Sequence, residues 1–250
     1  MGPMRRLLTA VSVVSLLTGT AGDASEEVRP APATSTAGQE AARPPTSPAP
    51  AAAITVAPAR VEEARALVPP PLLHARFQPV VGTWVEYEYL TAQGRFPVRV
   101  SVVGETLRED GLPLYQVELD YQTTPRALMA AWVVGGARPV VERLAVSVPP
   151  HPPISLPVDL YMDQPELRGV LTEEKPTDIR EGAFAGKARQ RVYRQEAQRS
   201  VSVILSTKVL VTGVESIRDD TASWVARKTG SGAQPELSAV PIAIPRLPEQ

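Results

Sequence analysis

Few residues in this chain have types and spacings that could do chemistry. There are two histidines and no cysteine. Without cysteine there are no disulfides, no Cys-ligated zinc, no iron–sulfur clusters and no thiol nucleophile. Two imidazoles are too few for a three-histidine metal site. His74 follows a proline-rich stretch and His151 sits between two proline pairs. Neither has a carboxylate or a second histidine at metal-ligand spacing, so both are expected on exposed loops. Glu86 and Glu88 are the best-placed carboxylate pair. On one strand face they would lie about 6.6 Å apart, a separation at which two carboxylates can act as acid and base. Val85, Tyr87 and Tyr89 alternate with them and claim the interior, which predicts a solvated face for the glutamates. Gly230-Ser231-Gly232 falls short of the G-x-S-x-G nucleophile elbow, because Thr229 stands where a glycine is needed and no histidine base follows. Gly135-Gly136 is too sparse for a phosphate loop, and Glu173-Glu174 and Asp219-Asp220 read as turn residues. No catalytic residue, cofactor or metal ion is expected, and the protein reads as noncatalytic.

The charge balance narrows the partners. There are 26 basic against 27 acidic residues among 250, a net charge of −1. That leaves no basic excess for a nucleic-acid partner. The length suits one large domain or two small ones, and 27 prolines argue against long helices throughout.

The first residues read as an address. Arg5 and Arg6 precede the apolar run 7–17, and small residues follow over 18–24. A basic start, an apolar stretch of this length and a small-residue exit make residues 1–21 a predicted secretory signal peptide. The run is too short to span a bilayer, so no integral membrane span is expected in the mature chain. An exported protein, periplasmic or extracellular, is the expectation.

Residues 22–76 read as a disordered Pro/Ala-rich linker. Ten prolines fall between Pro30 and Pro71 among Ala, Ser and Thr, a composition that buries too little surface to offset its ordering entropy. Within it, 60–67 is amphipathic enough for two or three helical turns after Pro58. All twelve aromatic residues lie between Phe77 and Trp224. Aromatics supply much of a core's buried area, which puts the domain boundary near 77 and a single β domain over 77–235.

Alternation of apolar and polar residues predicts strands over 81–90, 96–102, 114–121, 128–134, 140–148, 189–196, 200–207, 209–217 and 223–228. A short helix is predicted over 166–174. Residues 236–250 form a Pro-rich tail that runs along an edge or trails off, since proline at alternate positions excludes a central strand. The fold class is therefore mainly β: a curved antiparallel sheet, half-barrel or barrel, with little helix, because nine strands curl rather than stay flat.

The strand Gly82-Thr83-Trp84-Val85-Glu86-Tyr87, the segment Leu156-Pro157-Val158-Asp159, and the stretch from 209–213 through Trp224 to Gly230-Ser231-Gly232-Ala233 resemble landmarks of uncharacterised secreted bacterial proteins. Those in turn resemble the LolA-like periplasmic lipoprotein carriers. Over roughly 77–235 the resemblance implies a half-barrel that holds acyl chains in an apolar concavity. It assigns no functional residue here, and fold alone does not fix function.

Two readings follow. In one, the concave face, lined by Val85, Tyr87, Val100, Val117, Leu119 and Trp132, binds a lipid or acyl chain. In the other, the sheet is a packed structural module that presents a surface to another envelope protein. A ligand needs a cavity that side chains leave unfilled; a packed core does not.

Overall fold

Val85 and Tyr87 face the interior and Glu86 and Glu88 face outward along the first strand of the computed structural model, which describes residues 58–195, 199–237 and 239–243. The predicted signal peptide, and the linker as far as residue 57, lie outside the described residues. Two short helices come first, α1 (Pro58–Leu67) and α2 (Pro70–Leu73). Six strands follow: β1 (Trp84–Thr91), β2 (Gly94–Leu107), β3 (Pro113–Tyr121), β4 (Ala127–Val134), β5 (Val140–Ser147) and β6 (Ile154–Tyr161). After the single turn α3 (Pro165–Arg168) come β7 (Val170–Ile179), β8 (Gly186–Arg194), β9 (Ser200–Leu205), β10 (Val214–Arg218), β11 (Ala222–Gly230) and the two-residue β12 (Ile242–Ala243). No helix among the described residues is long and apolar enough to cross a membrane.

All twelve strands form one curved, unclosed sheet in the order β12-β6-β5-β4-β3-β2-β1-β11-β10-β9-β8-β7. Two antiparallel meanders, β1–β6 and β7–β11, join where β1 pairs with β11; only the β12–β6 pair is parallel. The connectivity itself demands curvature. Ten strand spacings separate β6 from β7, about 48 Å in a flat sheet. Residues 162–169, which join them, reach at most about 32 Å even when extended. The sheet must therefore curl until its two margins approach one another, as the expected half-barrel does.

Four local features depart from the sequence reading. The folded part begins upstream of Phe77: Val61, Ala64, Val68, Leu72 and Leu73 are buried in the same core as the strands. Aromatic content misses this because the segment contributes only aliphatic side chains. The predicted helix over 166–174 stops at Arg168. Gly169 has φ of 93°, and a Cβ there would meet the Arg194 carbonyl oxygen at 2.8 Å; the chain then turns into β7, paired with β8. The third departure is β6, which prolines hide. Arg143 opposes Pro157 while Val141 opposes Leu160, so the strand bulges around Val158 and Asp159, a place where proline is tolerated. Residues 209–213, read as the start of a strand, form a turn before β10.

The chain after β11 crosses the outer face. The Ala233 N–H donates to the Gly82 carbonyl (2.9 Å), and the Ile242 N–H to that of Pro153 (2.9 Å). Ile242 and Ala243 then pair with Ile154 and Ser155 along the β6 edge, where an edge position was expected for this Pro-rich stretch.

Candidate functional site

The concave face is built by strand parity. Residues directly opposite on neighbouring strands share a face. Val85 opposes Val100, and Val100 opposes Leu119; Val117 opposes Ala131, and Ala131 opposes Leu144. Val85, Tyr87, Val100, Val117 and Leu119 are brought together in one apolar floor, each fully buried. Trp132 is not among them. Ala131 and Val133 on either side belong to the core, so Trp132 points to the convex face, where the Arg143 guanidinium lies 4.3 Å from its ring. The run Ala127–Val134 is apolar throughout, which leaves no alternation from which its facing could be read.

An aromatic cluster closes one part of the floor. Trp224 stacks on Tyr89 at 4.1 Å and meets Tyr87 and Tyr121 edge-on at 6.0 and 6.2 Å. The Tyr87 hydroxyl shares a 2.6 Å hydrogen bond with the Thr212 hydroxyl and donates to the Val214 carbonyl at 2.8 Å, so its polar end is satisfied inside the core. Burial pushes the Tyr87 and Tyr121 phenols well above the ordinary tyrosine range. Trp224 and Tyr121 were missing from the predicted site, because Trp224 lies far in sequence from the strands it touches.

The helices α1 and α2 cover the floor, their buried Val61, Ala64, Leu72 and Leu73 packed into it together with Val68 from the link between them. Their backbone is outside the sheet ladder. The anchors are local: the Arg168 Nε donates to the Leu73 carbonyl (3.0 Å), the Arg65 Nε to that of Leu167 (3.2 Å), and the N–H groups of Arg76 and Gln78 to the carbonyls of Thr212 and Val211 (2.8 and 3.1 Å).

His74, expected on an exposed loop, is buried at the end of α2. Its ring lies 4.9 Å from that of Tyr193, and its Nδ1 has no hydrogen-bond partner. Burial, aided by the nearby Arg168 charge, pushes its pKa down to about 3, so the imidazole is neutral. His151 is exposed.

Glu86 and Glu88 lie on the convex face in ion pairs. Glu86 meets Lys228 at 2.9 Å and Arg99 at 3.4 Å; Glu88 meets Arg227 at 2.6 Å and Arg95 at 3.2 Å. The Arg227 hydrogen bond holds the Glu88 carboxyl below its ordinary range. Among the described residues no group of three His, Asp or Glu could hold a metal ion. The arrangement of the concave face is suited to excluding water and covering apolar surface.

Compared with known proteins, the chain matches no family model and no curated protein sequence.

Proposed function

We propose that this is a noncatalytic, exported envelope protein whose concave sheet holds a lipid or acyl chain, with α1 and α2 occupying the same floor when no ligand is bound. The observation that carries this reading is the way the floor is covered. An unclosed sheet keeps a continuous apolar inner face, and its cover is a pair of short helices hydrogen-bonded to the rest at a few points, not a further layer of strands. An apolar chain offers the floor the same kind of contact that the helices do, and the exchange leaves every ladder hydrogen bond intact. The likeness to LolA-like carriers is part of this proposal.

The complete burial of Val85, Tyr87, Val100, Val117 and Leu119 favours a second reading, a packed structural module that presents its outer surface to another envelope protein. Native mass spectrometry of protein purified from an exporting host separates the two. The carrier reading expects a copurified amphiphile lost on delipidation; a single apo mass under conditions that preserve lipid adducts favours the module.

A further inference from the structure

The inner side changes character toward the β7 margin. Arg189 opposes Leu205 and Arg191 opposes Val203. Both aliphatic partners belong to the core, so the two guanidinium side chains leave β8 on the concave face. With Lys187 they form one wall of a cleft of about 470 Å³, also lined by Arg76 and Gln78 from the segment after α2 and by Ser206 just past β9. No aspartate or glutamate lines it.

The counter-charge nearby is incomplete. Arg189 and Arg191 share one carboxylate, Glu174, at 2.5 and 2.9 Å, and Lys187 meets Asp178 at 3.1 Å. Arg76 makes no ion pair among the described residues. Four cations thus stand against two carboxylates. Inward-pointing charges near a sheet margin can serve to block strand-to-strand aggregation, and that accounts for the β7–β8 pairs. It does not account for Arg76, which belongs to no strand. Arg76 is held in place by its backbone N–H bond to Thr212 and by Gly213, where φ is 67° and a Cβ would stand 3.3 Å from the Arg76 Cβ. With its backbone held there and no ion pair among the described residues, Arg76 leaves the cleft with an excess of positive charge that an anion would neutralise.

We propose that this cleft binds a phosphate group, with Arg76, Lys187, Arg189 and Arg191 as its cationic ligands and the Ser206 and Gln78 side chains as polar neighbours. Guanidinium groups suit phosphate because their paired N–H donors match its oxygens. The group is carried either by a lipid head or by a small soluble phosphate. The site does not rest on the acyl-chain reading, since inorganic phosphate brings no apolar contact.

The test is calorimetric titration of the full chain with inorganic phosphate, against sodium chloride at matched ionic strength. Saturable binding is expected. Arg76→Gln, which breaks no ion pair among the described residues, and Lys187→Gln, at an exposed position, are each expected to weaken it about tenfold or more while the melting temperature in chloride stays unchanged. Short-chain phosphatidylglycerol below its micelle concentration identifies the source. Binding at least tenfold tighter than phosphate supports a lipid head, and equal affinity supports a soluble phosphate. Phosphate heats no different from chloride, or binding unchanged in both variants, would overturn the site. Failure here leaves the carrier proposal standing, and phosphate binding without fatty-acid binding would show the reverse.

Discussion

Glu118 on β3 accepts the backbone N–H groups of Glu236 and Leu237, at 2.8 and 3.2 Å, from the segment that crosses the convex face. The Gln116 side-chain amide donates to the same carboxylate at 2.8 Å. Glu118 lies in a transverse row with Ser101, Ala130, Ala145 and Ser155, each opposite the next across four strand pairs. All five are buried, and the two alanines are outside the main core cluster. Small side chains leave a track across the outer face, and one carboxylate pins the crossing segment in it.

Glu118→Ala should therefore free the crossing segment. The loss of three N–H bonds to a carboxylate should cost about 2–4 kcal/mol in urea unfolding. Amides of Glu236 and Leu237 should exchange faster, and Glu118→Gln should restore part of both effects. Unchanged protection at those two amides would show that the carboxylate does not hold the segment.

His74 sets a pH dependence. Its folded pKa of about 3 lies below the ordinary 6.5, so between these values the unfolded chain binds more protons than the folded one. Stability is then fully present above pH 6.5 and declines as pH falls toward 3, by up to about 1.4 kcal/mol per pH unit. Glu88 and Glu174, also held below their ordinary 4.5 by arginine partners, act in the same direction at lower pH. The His74 contribution is therefore read between pH 6.5 and 5. His74→Phe, which keeps a ring against Tyr193, should flatten the slope in that window; an unchanged slope would contradict the buried neutral imidazole.

Leu119 and Trp132 test the facing of the sheet. Leu119→Ala should cost about 2–5 kcal/mol, as a fully buried leucine does. Trp132→Ala should cost about 1 kcal/mol or less, since it removes a half-buried ring and its arginine contact on the outer surface. Equal losses in chemical denaturation would place Trp132 on the inner face.

Period-two alternation carried most of the architecture. Where Val85, Tyr87 and Tyr89 alternate with glutamates, both the strand and its facing could be read directly. Where every residue is apolar, as around Trp132, the strand was legible and the facing was not. Helix α1 was legible over 60–67 after Pro58, a position at which proline is compatible with helix; α2, and the docking of 58–73 into the core, were not, because that stretch carries no aromatic residue. The cationic cleft was invisible for a different reason. Arg76 and Lys187 lie over a hundred residues apart, and a net charge near zero conceals a local excess. The Glu118 clamp depends on main-chain N–H groups, which composition cannot reveal.

The proposed exchange between α1–α2 and an apolar ligand is tested most directly by titrating a fluorescent fatty acid into the full chain while following hydrogen exchange over residues 58–73 and over the strands. The account predicts saturable binding together with faster exchange of the α1–α2 amides, while β1–β3 stay protected. No saturable binding, or binding that leaves α1–α2 exchange unaltered, would contradict it.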